Sequence, residues 1–161
     1  MKISDTERKA FLKDEYFLLQ GQYEDFDRRS ITIKGWVTTG SIVGFGTALA
    51  QEQQYVSVSI LAIVALLSAV VWYLEATWKQ FQYAFQQRIR TIEPYFRSDD
   101  EFFRMRPDLS NPPDPFQIFS SWMSSHKSNS LTRVGLQRFV QLPYSVIILI
   151  AALAIFLKLV C

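Results

Sequence analysis

Three long apolar stretches alternate with amphipathic segments along this chain. The stretches cover residues 31–50, 55–74 and 144–161. At about 1.5 Å per residue, helices of these lengths reach about 27–30 Å, which matches the hydrocarbon core of a bilayer. The pattern therefore predicts an all-α membrane protein with three transmembrane helices, which are called spans 1, 2 and 3 in chain order.

An amphipathic helix is predicted before span 1, within a cytosolic segment of residues 1–30. Ser4 and Glu7 have the spacing of a capping box, which marks the start of a helix. The apolar positions that follow recur every three or four residues, so a helix over residues 5–29 carries an apolar stripe. This stripe could pack within the assembly, lie on lipid headgroups or form a short coiled coil. It consists of Leu12, Tyr16, Leu19, Tyr23 and Phe26.

The stretch after span 2 keeps the helical period. It contains no Gly, and its first Pro is Pro94. We therefore expect span 2 to continue as one long helix, with a cytosolic extension over residues 75–96 in which Pro94 ends the regular helix. The apolar positions that carry this prediction are Trp78, Phe81, Phe85 and Ile89.

Residues 97–143 are predicted to form a cytosolic loop with short helices, because five of the six prolines lie between Pro94 and Pro115. Ser98 with Glu101 has the residues of one helix start, and Asp114 with Pro115 has those of another. The second helix would bring four large side chains to one face, which could cover the membrane surface, the helix bundle or a partner. They are Phe116, Phe119, Trp122 and Met123. Pro143 is expected to kink the chain as it enters span 3.

The distribution of Lys and Arg predicts how the spans are oriented. Of the 17 basic residues, seven precede Gly35, nine lie between Lys79 and Arg138, and the last is Lys158. The link between spans 1 and 2 has none. Because basic residues are retained on the cytoplasmic side, the N-terminus is expected inside and the C-terminus outside, in a multi-pass membrane protein.

Span 1 differs from the other two in its small and polar residues, whereas span 3 is almost wholly aliphatic. Small residues allow helices to approach closely in a membrane, so span 1 is expected in the interior. One face would pack on Ala62, Ala65 and Ala69 of span 2, and another on a second subunit; ordinary packing within one chain is the alternative. The candidates for helix packing or pore lining are Thr32, Gly35, Thr39, Gly40, Gly44, Gly46 and Thr47.

Charged residues supply two further candidate sites. Glu75 lies near the inner boundary of span 2 and could form a ring at a cation pore mouth, or pair with Lys79 one turn later. Guanidinium groups suit phosphates, so a group of arginines could contact a nucleotide, an oligonucleotide or anionic lipid; the topology rule alone also explains these charges. This group comprises Arg88, Arg90, Arg97, Arg133 and Arg138.

The sequence offers no converging set of catalytic groups. It has one His and one Cys, and no glycine-rich phosphate loop. An enzyme is therefore not expected, nor is a metal site or a cofactor. The overall composition hides the membrane character, because 20% charged residues and a net charge of +2 are averages over apolar spans and charged segments.

Several segments together resemble small membrane effectors of bacterial anti-phage defence operons, of the Hailong and CBASS types. The resemblance covers residues 10–96 and rests on YEDFDRRSITIKGW at 23–36, EATWKQFQYAF at 75–85, RIR at 88–90 and IEPYF at 92–96. It implies channel activity that depolarises the inner membrane in response to a nucleotide signal from a partner nucleotidyltransferase. It assigns no residue that binds such a signal.

Two functions are compatible with these features. The first is a gated, homo-oligomeric ion channel or pore-forming effector whose path is lined by span 1. The second is a membrane anchor or adaptor that conducts nothing and holds a cytosolic partner protein through residues 1–30 and 79–140. Self-association and glycine sensitivity in span 1 would distinguish the channel from the adaptor.

Overall fold

The chain is all-helical in the computed structural model, which describes residues 4–97, 113–128 and 130–160, without the side chains of residues 97 and 125–128. Helix accounts for 90% of the described residues, and no strand occurs among them, so the all-α prediction is confirmed. The helices are α1 (Asp5–Ala50), α2 (Gln54–Arg97), α3 (Ile118–Ser128), α4 (Leu131–Gly135), α5 (Arg138–Gln141) and α6 (Tyr144–Val160).

The chain divides into two compact units, and both long helices contribute to each of them. Unit 1 comprises residues 1–27 and 80–130, and unit 2 comprises residues 28–79 and 131–161. Unit 1 therefore contains the predicted amphipathic segments, while unit 2 contains the three apolar stretches.

The capping box at the start of α1 is confirmed. The Ser4 backbone N–H donates to Glu7 Oε2 at 3.0 Å, and the Glu7 backbone N–H donates to Ser4 Oγ at 3.3 Å. This reciprocal pair satisfies two backbone donors that have no partner inside the helix. The Ser4 hydroxyl also donates to Glu7 Oε2 at 2.7 Å, and this hydrogen bond together with the one from the Ser4 backbone N–H holds the pKa of the Glu7 carboxyl below its usual value.

Helix α2 confirms the predicted extension beyond residue 75 but contradicts the predicted end at Pro94. The helix passes through Pro94 and ends at Arg97. Proline leaves one carbonyl of the preceding turn without its N–H partner, so packing must compensate for the loss. Here Ile92 is fully buried beside Leu12 and Leu19, and Tyr95 packs against the same cluster. The core of unit 1 thus stabilises the helix on both sides of the proline.

The core of unit 1 uses the predicted stripe of α1. Leu12 and Leu19 are buried with Ile89 and Ile92 of α2, and Tyr16 and Tyr23 pack at the edge of this cluster. Ring pairs extend it, with centroids 6.3 Å apart for Phe26 and Phe85 and 5.7 Å apart for Phe81 and Trp122. At least part of the stripe therefore packs within the chain.

In unit 2, α1 and α2 form a tight hairpin. Ser57 is fully buried and its hydroxyl donates to the carbonyl of Ala48 at 2.7 Å, which joins the two helices near their connection. The predicted alanine face of α2 is wrong, because Ala62 and Ala69 are exposed and Ala65 is only half-buried. The α2 positions that are buried instead are Ser57, Leu61 and Ser68. They lie on the same face of α2 as Val64, which is the residue that Gly44 of α1 approaches.

Among the described residues, α2 alone is both long and apolar enough to cross a membrane. Only 17% of its most apolar window is buried inside the chain. Helix α6 is also apolar but has 17 residues, and α1 does not meet the same criterion. By length and composition, one candidate span is weak evidence for membrane association.

The connecting segment departs from the sequence prediction at two points. Helix α3 begins at Ile118 rather than at Asp114, because Phe116 has a φ of 65° in the left-handed region, which a helix does not contain. Pro143 separates α5 from α6 rather than kinking one helix, and its carbonyl accepts the backbone N–H of Val146 and of Ile147 at 3.1 Å. The predicted helix at Ser98 and Glu101 lies outside the described residues.

Candidate functional site

A buried carboxylate connects three helices of unit 2. Glu75 of α2 is 4% exposed, and Lys34 Nζ of α1 lies 2.9 Å from its Oε1. The Ser30 hydroxyl donates to Oε1 at 2.6 Å, and the Tyr144 hydroxyl of α6 donates to Oε2 at 2.7 Å. These four residues, Ser30, Lys34, Glu75 and Tyr144, are called the Glu75 cluster.

The Glu75 cluster satisfies each charge that it removes from water. The carboxylate accepts from one ammonium and two hydroxyls, and Lys34 Nζ also donates to the carbonyl of Phe139. A buried ion pair is stable only when such additional hydrogen bonds are present. Because the donors come from α1 and α6 while the acceptor is on α2, the cluster fixes three helices at one level.

The predicted pore-mouth role of Glu75 is not what the structure supports. A carboxylate at a cation pore mouth faces water, whereas this one is enclosed by groups of its own chain. The alternative prediction paired Glu75 with Lys79 and did not include Lys34, whose ammonium lies 2.9 Å from the carboxylate. The Lys79 ammonium lies 5.5 Å from the centroid of the Phe139 ring. In the structure Glu75 therefore belongs to a cluster within one chain and does not face water as a residue of a pore-mouth ring would.

The glycines of span 1 divide into one that packs inside the subunit and three that do not. A Cβ added at Gly44 would lie 2.6 Å from Val64 Cγ2 of α2, so the two helices approach there as closely as glycine permits. A Cβ at Gly35, Gly40 or Gly46 would meet nothing within 4 Å. Of the four glycines, only Gly44 therefore faces α2.

The other candidate residues of span 1 are exposed and are called the open face. The Thr32 hydroxyl donates to the carbonyl of Arg28 at 3.0 Å, and the Thr47 hydroxyl donates to that of Val43 at 2.9 Å. These two donors are satisfied within α1, so Thr32 and Thr47 need no hydrogen bond from a neighbour. It consists of Thr32, Gly35, Thr39, Gly40, Gly46 and Thr47.

We expect Gly44→Ala to destabilise unit 2 and Gly46→Ala to leave it unchanged. Val64 is β-branched and has little freedom to move away, so the added methyl group overpacks the hairpin by about 1–3 kcal/mol. At Gly46 the same methyl group meets open space. Hydrogen exchange of α1 and α2 in detergent measures both effects. Equal exchange in the two variants would contradict the close approach at Gly44.

The four predicted arginines whose side chains the structure describes differ in exposure. Arg88 is buried, so its predicted role as an accessible ligand or lipid contact is wrong. Its Nε and Nη2 bind Glu15 Oε1 and Oε2 at 2.7 and 3.1 Å, and Nη2 also donates to the carbonyl of Asp114 at 2.7 Å. Arg90, Arg133 and Arg138 are exposed. The side chain of Arg97 lies outside the described residues.

Glu15 and Lys34 are the two key residues that sequence reasoning missed. Glu15 lies one position before the stripe residue Tyr16. It is buried with Arg88 where residues 113–116 pack against the pair, a contact that the sequence does not reveal. Its Oε2 also accepts the Phe116 backbone N–H at 3.2 Å. Lys34 had a local signal, since a lysine four residues into an apolar stretch needs a partner. The sequence could not show that this partner is Glu75.

A second polar contact in unit 1 borders a cavity of about 370 Å³ lined by Lys13, Tyr16, Phe17, Glu93 and Phe96. The Tyr16 hydroxyl donates to Glu93 Oε1 at 3.3 Å. Burial, and then the adjacent Glu93 carboxylate, raise the pKa of Tyr16 above its usual value. In the part of the chain that the structure describes, no three His, Cys, Asp or Glu side chains are grouped to hold a metal ion.

Comparisons of the chain with protein-family models, with curated proteins and with solved structures found no significant match.

Proposed function

We propose that this protein is a gated, homo-oligomeric ion channel of the bacterial inner membrane. In this proposal all three spans cross the bilayer, with the N-terminus inside and the C-terminus outside, as the basic residues favour. Span 1 lines or surrounds the path, and neighbouring copies supply the enclosed volume that three helices of one chain lack.

The open face of span 1 is the observation that carries the proposal. Small residues let helix backbones approach each other closely in a membrane. Among the four glycines of span 1 only Gly44 uses this property within one chain, because a Cβ added at any of the other three would meet no atom within 4 Å. A second copy of the chain is the partner that would use the rest, and the large apolar side chains elsewhere on α1, α2 and α6 can face lipid.

Gating follows from viability, because a pore that is always open would dissipate the membrane potential. We assign the closed state to the conformation in which the Glu75 cluster joins α1, α2 and α6. The resemblance to defence effectors supports a nucleotide or oligonucleotide as the opening signal, made by a partner nucleotidyltransferase. The accessible arginines that remain as candidate contacts for such a signal are Arg90, Arg133 and Arg138.

A non-conducting adaptor is the second candidate, and exposed aromatic side chains in unit 1 favour it. Phe116 and Phe119 are 72% and 70% exposed, and Phe17 is 60% exposed. Aromatic residues are enriched where proteins contact one another, and a chain with several of them open to solvent has surface for a partner protein. The adaptor would use unit 1 for binding and unit 2 only for anchoring.

We expect Gly46→Leu to lower the number of subunits in the assembly while leaving the fold of unit 2 intact. The leucine projects from the open face, where nothing in the same subunit contacts it, and it would hold a neighbouring helix away. Mass photometry of the detergent-solubilised protein counts the subunits, and ion flux in liposomes measures conduction.

Leu149→Phe is the matched control, since Leu149 is a 68% exposed position of α6 in the same unit. The wild type and this control should be oligomeric and should conduct once opened, whereas Gly46→Leu should do neither. A wild-type protein that is monomeric and leaves liposomes tight, with and without nucleotides, would overturn the channel and favour the adaptor.

A further inference from the structure

A second feature of unit 2 is an apolar groove between α2 and α4. It has a volume of about 410 Å³, which lies within the range of ligand sites, and it is open on one side. One wall is formed by Ala69, Trp72 and Ala76 of α2, and the other by Leu131 and Leu136 in and after α4. This volume is called the α2–α4 groove.

The groove is formed by close packing and contains few polar groups. Gly135 brings α4 against α2, since a Cβ at this position would lie 3.4 Å from Ala76 Cβ. The Trp72 indole Nε1–H donates to the Gly135 carbonyl at 2.9 Å. The indole donor is thus already satisfied, and an apolar ligand can cover the ring without leaving a buried donor unpaired.

We propose that the α2–α4 groove binds one acyl chain of an anionic phospholipid, with the headgroup phosphate at Arg133. Arg133 is exposed and is adjacent in sequence to Thr132, which lines the groove. The segment 131–143 contains two arginines and no acidic residue. An apolar groove with an exposed arginine next in the chain to one of its lining residues is complementary to a lipid with an apolar tail and a negative headgroup.

The chemistry of the groove also places it at a membrane interface. Tyr73, next to Trp72, is 61% exposed, and Trp and Tyr side chains prefer the level of the lipid headgroups. Glu75, the charged residue at the centre of the Glu75 cluster, follows Trp72 by only three residues on α2, so charged groups lie close to the groove in the chain. This inference rests on the membrane placement in the proposed function, but it does not depend on conduction.

Native mass spectrometry of the full-length protein tests the site. The protein is purified in detergent, incubated with equal amounts of phosphatidylglycerol and phosphatidylcholine, and the lipids that remain bound to each subunit are counted. We expect the wild type to retain one phosphatidylglycerol per subunit. Ala69→Phe should lose it, because the ring occupies the groove, and Leu131→Trp should do the same from the opposite wall.

Two control variants separate the groove from the rest of the surface. Ala62→Phe places the same ring on the same face of α2, two turns earlier and outside the groove, and should retain the lipid. Arg133→Gln should lower the preference for phosphatidylglycerol over phosphatidylcholine about fivefold, which is the effect of one basic residue near an anionic surface. Arg90→Gln, which removes an exposed arginine of unit 1, should leave the preference unchanged.

The outcomes distinguish this site from the proposed function. If the wild type inserts into liposomes but Ala69→Phe and Ala62→Phe retain equal amounts of phosphatidylglycerol, the lipid site is overturned while the channel is not affected. If a protein fragment, rather than lipid, co-purifies in the groove of the wild type and blocks lipid retention, the assignment to lipid is wrong. If the wild type does not insert, both the lipid site and the membrane function fail.

Discussion

Arg88→Met is expected to destabilise unit 1 by about 3–5 kcal/mol, the cost of removing one partner from a buried ion pair. Arg88 and Glu15 have side chains only 4% and 5% exposed, so water cannot replace the lost guanidinium. The variant leaves the Glu15 carboxylate uncompensated and removes the donor that binds the Asp114 carbonyl. Hydrogen exchange of the amides in residues 12–19 should become at least about a hundredfold faster.

Arg90→Met is the matched control for this prediction. It removes the same charge two residues later on the same helix, but Arg90 is exposed, so the change should stay within about 0.5 kcal/mol. The double variant Glu15→Gln with Arg88→Met should recover part of the loss, because no unpaired charge is then buried. If Arg88→Met exchanged as slowly as Arg90→Met, the ion pair would not hold unit 1 together.

Glu75→Ala is expected to destabilise unit 2 by about 3 kcal/mol, the lower end of the range for buried pairs. The effect is smaller than in unit 1 because the Lys34 side chain is 21% exposed and water can reach it once the carboxylate is gone. The variant also removes the acceptor for the Ser30 and Tyr144 hydroxyls, so the contact among α1, α2 and α6 is lost. Exchange should accelerate in residues 28–38 and 71–79.

Glu52→Ala provides the control. It removes the same charge, but Glu52 is exposed in the link between α1 and α2. Tyr144→Phe is an intermediate variant that deletes one hydrogen bond to the carboxylate and should cost about 1.5–3 kcal/mol. If the Glu75 cluster maintains the closed state, Glu75→Ala should also increase ion flux without a signal. Unchanged exchange and unchanged flux would together exclude a role for the cluster in holding the helices.

The two buried ion pairs show that the general tendency of charged residues to be exposed does not hold for every charged residue of this chain. Arg88 and Arg90 belong to the same basic segment, yet one stabilises the core and the other is accessible. Glu15 and Glu75 are the acceptors in units 1 and 2 respectively, and each binds a basic residue on the other long helix. Each pair therefore reports on the packing of α1 against α2 in its own unit.

Local sequence features determined the helices. The Ser4 and Glu7 capping box, the stripe through Leu12 and Leu19, and the apolar period after residue 75 each depend on residues within one or two turns, and each predicted helix is present. Such signals succeed because capping and periodicity act within a single helix. Two local signals failed: Pro94 does not end α2, because the core of unit 1 overrides it, and Asp114 with Pro115 does not begin α3.

Only the tertiary structure decided which side chains meet. Residue type and spacing identified Gly44 and Glu75 as candidates, but they could not show that Gly44 faces Val64 or that Glu75 binds Lys34, 41 positions earlier in the chain. The face that a helix turns toward its neighbour depends on the packing of all its side chains, and contacts between distant residues follow from that packing. The sequence by itself thus determined the elements and the candidate residues, whereas the interior of each unit decided their partners.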